Sequence, residues 1–428
     1  MRLVKNIRQL PHLQRIALLF LALYSCGILL YGVAGALRAS GDQRSFHETS
    51  RLLLAKIDTS RMTIDFLKNT NKECSLKNID QHGGRSLYPP STHVLLVPFY
   101  AFLISPELSK YCWLLWNIIS LGIIYHVVCA RYLSRASFLY KAVLICILVG
   151  SASTKTNLSL GQTALFSYAA LLLTLSLKKR HPYVSGITFT LAVAKPSLMI
   201  LFAVYLLLKK EYRTVLTACA MHLILTAGIS AWIGTSPLTL MGNYFTKIAL
   251  VMRQEGALSF YYQTNGIAFK SMLFALDAQQ AAITLATIVL YMAALMCMFA
   301  LRNREEHYSL GVAALLTMLV DYHQHYDFIV LLFMLPVFVN HAQSRGKPTW
   351  QLLYFLLLLY MPNLSRINFF GTATAHFFQS HPAYLLIWQA VYTGLYILLL
   401  LVYMQTAAQN NLPLTRKAAS ATHRSQKT

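Results

Sequence analysis

Apolar runs of about twenty residues recur along almost the whole chain, and that is the length a helix needs to cross a bilayer. Two examples are "RIALLFLALYSCGILLYGVAGAL" (15–37) and "TLATIVLYMAALMCMFAL" (284–301). Charged residues make up only 12%, roughly half the share of a soluble domain. The pattern predicts an all-α polytopic membrane protein with about eleven to thirteen spans. The first run is long and lacks a small-residue cleavage site, so it reads as a retained span and not as a removed signal peptide.

The net charge of +23 would point to nucleic acid in a soluble protein. Here most Lys and Arg sit in short segments between apolar runs, where they set topology. Nucleic acid is therefore not an expected partner, whereas anionic lipid headgroups are. Of the seven cysteines, only Cys74 lies in a clear polar loop, so no disulfide framework is expected.

The N-terminus (Arg2, Lys5, Arg8, Arg15) and a basic tail over 409–428 (Arg416, Lys417, Arg424, Lys427) both read as cytoplasmic. So do "KKR" (178–180), "KKEYR" (209–213), "RNREEH" (302–307) and "HAQSRGK" (341–347). Residues 1–408 are expected to form a single transmembrane unit. The apolar stretch 181–208 is basic at both ends, which two short spans turning at Lys195-Pro196 would satisfy. Proline suits such a tip because it disfavours helix at the residue before it. By the same logic "DYHQHYD" (321–327) is an outer tip, and 38–90 and 234–280 are outer loops. The basic "RYLSRASFLYK" (131–141) fits the inside only if 91–104 fails to cross fully or a later piece re-enters.

Fourteen carboxylates bound the choice of an acid or base. Asp42 stands out because it follows the first span by a few residues, at the membrane surface. It is either a polar residue ending a helix at an interface or a functional group, since ionisable side chains at membrane level are costly and often functional. Residues 46–67 carry Leu53, Ile57, Ile64 and Leu67 near helical spacing. They fit an amphipathic helix lying in the interface or an ordinary loop helix. Lys195 could bind a phosphate as a compact cation or snorkel to headgroups. Asp321, His323, His325 and Asp327 alternate, and on a strand they could share a metal; polar substrate contact or an inert interfacial position are the other readings. Gln162, after Gly161 at the start of a span, offers both a donor and an acceptor to a sugar or phosphate, unless the pair only begins a helix.

In order along the chain stand Asp42, "YPP" (Tyr88-Pro89-Pro90), Gly161-Gln162, Lys195-Pro196 and "HQHYD" (323–327). This set resembles the bacterial polyprenyl-phosphate-mannose-dependent α-mannosyltransferases, glycosyltransferase family eighty-seven, over about residues 15–340. The resemblance implies a GT-C-type bundle in the bacterial inner membrane with its site on the outer face. It also implies a polyprenyl-phosphate sugar donor, a glycan or glycolipid acceptor, and inversion at the anomeric carbon. Asp42 would be the general base and Lys195 the donor-phosphate cation. Tyr88, Gln162, His323, His325 and Asp327 would line the site. No metal or cofactor is implied. Two departures are Gln43, where the family usually has an aromatic residue, and the length and charge of the segment between Asp42 and Tyr88. The rival readings are a transporter of an anionic solute, which should carry an internal repeat not seen here, and a polymerase or ligase of lipid-linked glycans.

Overall fold

A computed structural model describes residues 10–38, 41–69, 88–263, 280–320, 323–365 and 382–411, with Phe269 and Leu273. The basic tail beyond Asn411, Cys74, Asp321 and the Asp42 side chain lie outside the described residues. The described residues are mainly helical, with no β-strand among them. Seven helices are long and apolar enough to cross a membrane, and four shorter apolar ones accompany them.

The first pass is α1 (His12–Arg38), followed by α2 (Gly41–Leu54) and α3 (Thr59–Asn69). Next come α4 (Pro90–Leu96), a 3-10 segment (Val97–Leu103), and α5 (Pro106–Val127), which Val128–Tyr132 extends as a π-turn. Then follow α6 (Phe138–Gly150), α7 (Ala152–Leu160), α8 (Ala164–Leu177), α9 (Pro182–Ala192), α10 (Pro196–Leu208) and α11 (Tyr212–Ile233). The last third holds α12 (Pro237–Gln263), α13 (Gln280–Ala300) and α14 (Glu306–Val320), then a 3-10 segment (His325–Met334) running into α15 (Leu335–Ser344). The chain closes with α16 (Trp350–Ser365) and α17 (Pro382–Asn411). Local chemistry sets the breaks. Ser105 caps α5 by accepting from the Leu108 N–H at 3.1 Å, with Pro106 in the first turn. Ser151 does the same for α7 through Thr154.

The basic clusters meet at one end of the bundle. Glu306 accepts from Arg131 at 2.6 Å and from Lys178 at 2.7 Å, while Lys209 donates to the carbonyls of Arg302 and Arg304. Residues 178 and 209 therefore end on the same face, and the chain between them leaves it and returns. Its arms, α9 and α10, have 11 and 13 residues, about 16 and 20 Å long. Lean them against separate neighbours and they form a V: α9 packs on α8 and α11, α10 on α14. Each arm is shorter than the roughly 30 Å hydrocarbon core, so Lys195 at the apex stops inside the depth of the bilayer.

The segment 90–103 does not cross. Its helix and 3-10 turn fold back along α5, with the Ser109 hydroxyl on the Tyr100 carbonyl at 2.8 Å and the Tyr100 ring stacked on Trp113 at 4.5 Å. The helices around it then alternate in direction, and both ends of the described chain fall on the basic face. The expected interfacial helix over 46–67 proves to be two. Residues 55–58 interrupt it, with Lys56 at φ 66, and Asp58 accepts from Ser60 N and Arg61 N to start α3. Ile57 falls in the break and is exposed, whereas Leu53 and Ile64 are buried. Outside the bundle, α1 presents Leu19, Phe20 and Leu23, each more than 60% exposed, as expected of a surface solvated by lipid chains.

Lys178 is almost fully buried against Glu306. Glu306→Ala is expected to cost about 3–5 kcal/mol, because it strands a buried cation. Lys179→Ala, which removes an exposed cation 3.6 Å from Glu211, should cost under about 1 kcal/mol. Thermal unfolding in detergent would compare the two.

Candidate functional site

The site lies at the end of the bundle away from the basic clusters, and three separated segments build its first half. Pro89 takes φ −65 and ψ 153, and Pro90 occupies the first turn of α4, so the chain re-enters the bundle at a fixed angle. That angle brings the Tyr88 hydroxyl to Thr163 Oγ1 at 2.8 Å and to Gln162 Oε1 at 3.3 Å. Gly161 ends α7 in the left-handed region at φ +67. A Cβ there would stand 2.4 Å from the Cβ of Gln43, so glycine is what allows α2 to seat on the α7–α8 junction. Asp42 is the second residue of α2, directly before the buried Gln43.

The second half forms at the apex of the V. Lys195 pairs with Asp327, and its ammonium lies 4.1 Å from the centre of the Tyr326 ring. The other Asp327 oxygen meets His323 Nδ1 at 3.0 Å. His323 Nε2 is buried without a hydrogen-bond partner among the described residues. The alternating tip does not act as one face. Gln324 is extended and a 3-10 helix starts at His325; His323 and Asp327 come together, while His325 turns to the Tyr392 hydroxyl, 3.4 Å away. Among the described residues, no three His, Cys, Asp or Glu side chains gather as a metal site.

The two halves are joined by α7. The Tyr326 carbonyl accepts from Ser153 Oγ and from Asn157 Nδ2, both at 2.7 Å. Asn157 Oδ1 accepts from Leu165 N at 3.3 Å, and its carbonyl accepts from Gln162 N at 3.0 Å. One asparagine thus ties the Lys195–Asp327 side to the Gln162–Tyr88 side. The sequence reading missed Ser153 and Asn157, although "SASTKTNLSLGQ" (151–162) is a polar run within an apolar region, which is itself a signal.

Beside the Tyr88 wall stands a further group, also unforeseen. His93 lies 4.4 Å from the Phe46 ring and 6.3 Å from the Tyr88 ring, and its Nδ1 meets Ser50 Oγ at 3.0 Å. Lys247 of α12 is only 1% exposed. Burial pushes its pKa down to about 8, against an upward pull from Asp58. Asn243, one turn earlier, donates to Asp58 Oδ2 at 2.7 Å. Burial, with Lys247 nearby, holds His93 well below its usual 6.5.

Two outcomes are expected. Gly161→Ala should lower the unfolding midpoint, since the left-handed backbone alone costs about 1–2 kcal/mol and the clash with Gln43 adds to it. Stability should also depend on His93 at acid pH. The unfolded chain takes up a proton near 6.5 that the fold resists, so this contribution is present above that pH and is lost as pH falls below it. The limiting slope is about 1.4 kcal/mol per pH unit. His93→Gln should therefore flatten the loss of stability between about pH 6.5 and 5, read by thermal unfolding across that range.

Comparison with known families matches residues 87–321 to glycosyltransferase family 87. No curated protein and no solved structure matches the chain.

Proposed function

The chain belongs to glycosyltransferase family 87 and is a membrane glycosyltransferase, and from that premise we propose that its donor is a polyprenyl-phosphate sugar, with mannose as the sugar. The acceptor is a hydroxyl of a glycan or glycolipid. The basic face is assigned to the cytoplasm by its lysines and arginines, which turns the site toward the periplasm of a bacterial inner membrane. A transporter of anionic solutes has no place in this family, and a polymerase or ligase of lipid-linked glycans gains no support from the match.

One observation carries the proposal. The α7–α8 junction touches Gln43, next to Asp42, and through Asn157 it also holds Tyr326, next to Asp327. The helix that carries Asp42 and the segment that carries Asp327 thus both meet α7. This end of the bundle lies at membrane depth, where a lipid-borne phosphate can reach it by lateral diffusion.

The acceptor oxygen attacks the anomeric carbon from the side opposite the phosphate, and the configuration inverts. Its proton passes to the Asp42 carboxylate as the new C–O bond forms. The bond from the anomeric carbon to the phosphate oxygen breaks, and its electron pair leaves on polyprenyl phosphate. Lys195 is held by Asp327 before substrate arrives, so it is oriented at no further cost when the leaving oxygen gains charge. His323 is fixed by the same carboxylate, beside Lys195. Tyr88 and Gln162 supply hydroxyl and amide groups of the kind sugars bind. His325, turned to Tyr392, supports the wall. No step is routed through a metal ion or a nucleotide.

General-base assistance is typically worth about 10²–10⁴-fold. Asp42→Asn is expected to lose that much turnover with radiolabelled polyprenyl-phosphate mannose and a cell lipid and glycan extract, while its unfolding midpoint stays near that of the wild type. Turnover within tenfold of the wild type would remove Asp42 from the role. An EDTA arm should leave the rate unchanged.

A further inference from the structure

Asparagine carries a donor and an acceptor on one short fork, and at position 157 both meet segments outside its own helix. Asn157 is fully buried in α7. Its Nδ2 donates to the Tyr326 carbonyl at 2.7 Å and to the Ser153 carbonyl at 2.9 Å. Its Oδ1 accepts from Leu165 N, in the first turn of α8, at 3.3 Å. These neighbours fix the orientation of the amide, because a carbonyl can only accept and a backbone N–H can only donate. The Tyr326 carbonyl takes a second bond from Ser153 Oγ, also at 2.7 Å and also from α7. Successive turns of one helix thus hold one distant carbonyl from two sides.

That carbonyl belongs to the stretch of chain on which Lys195 rests. The Tyr326 ring centre lies 4.1 Å from the Lys195 ammonium, and Asp327, the next residue, pairs with it. Both groups hang on the same backbone, so a shift at the Tyr326 carbonyl moves them together. One donor is enough to satisfy a buried carbonyl; two donors from one helix also fix where it sits. Placement matters here, since misplacing a group by about 1 Å from a change remote from the chemistry can cost about 10²-fold in rate.

We propose that Asn157 is a positioning residue of the transfer site: through the Tyr326 carbonyl it sets where the Lys195 ammonium stands to receive the phosphate ester of the lipid-linked donor. The inference rests on the lipid-phosphate reading of the function and extends it to a residue that acts without touching substrate. Ser153 assists through the same carbonyl. The Asn157 amide also closes the first turn of α8, and the Asn157 carbonyl accepts from Gln162 N at 3.0 Å. The place of Lys195 is therefore set relative to the same junction on which α2 docks.

The test uses the full chain in detergent micelles and measures binding of geranylgeranyl phosphate against geranylgeraniol. The wild type is expected to prefer the phosphate by about 10- to 100-fold, the worth of a hydrogen bond to a charged group. Lys195→Gln, made together with Asp327→Asn so that no buried carboxylate is stranded, should lose most of that preference. Asn157→Ala alone should also lose most of it while binding the alcohol as the wild type does, a split that general loosening of the fold does not produce. Added to the Lys195→Gln pair, Asn157→Ala should bring no further loss, because a residue that acts through another is not additive with it. Ser153→Ala removes one bond to the same carbonyl and leaves Leu165 N satisfied; it makes the same comparison, with a smaller loss, if Asn157→Ala does not fold. Variants that keep the preference, or whose loss repeats in full on top of the Lys195→Gln pair, overturn the positioning role and leave the proposed donor standing. Equal preference in the wild type and the Lys195→Gln pair does the same. A wild type with no preference overturns both.

Discussion

A lysine that stops inside the bilayer has to be matched by a carboxylate, and the far half of this bundle is arranged around that requirement. α9 and α10 are too short to carry Lys195 to the far surface, so its ammonium sits at membrane depth against Asp327. Backbone that leaves the helix at that depth must also be satisfied from within the protein. The turn around 323–327 achieves this through Ser153 and Asn157, which bond the Tyr326 carbonyl. Charge matching and backbone satisfaction therefore converge on α7, and the same helix ends at Gly161, where α2 docks.

The opposite end follows the same rule for another purpose. Glu306 gathers Arg131, Lys178 and the Tyr132 hydroxyl, drawing together segments that lie far apart in sequence. This network closes the basic face and fixes where the V begins and ends. The far face carries α2, α3, α4 and α12. An apolar frame with buried ion pairs at both ends can hold polar chemistry at one end without exposing backbone to lipid.

Much of this was legible in the sequence. Run lengths gave the helical membrane class, and basic flanks on both sides of 181–208 and 309–340 gave two turn-backs with Lys195 and the 323–327 tip on one side. The ambiguity at 91–104 was legible too, because its apolar length falls short of a span. What could not be read was pairing. Nothing in the alternation of "DYHQHYD" says that His323 and Asp327 share a contact while His325 leaves for α17, since that depends on where extended backbone gives way to a 3-10 turn. Asn157 and Lys247 were hidden for a related reason. Each looks like an ordinary polar residue of a helix, and its role follows from which distant segment packs on it. The break at 55–58 was masked by hydrophobic spacing that runs on through it, and Asp58 marks it only as a cap.

The central claim is that the Asp42 helix and the Lys195–Asp327 pair serve one transfer site. The most direct measurement is an experimental structure of the chain in lipid nanodiscs with an unreactive polyprenyl-phosphate sugar bound. The account predicts the phosphate within hydrogen-bond reach of Lys195, about 3 Å, and the anomeric carbon turned toward Asp42. A donor bound with its phosphate at the basic face, or with its sugar directed away from α2, would contradict it.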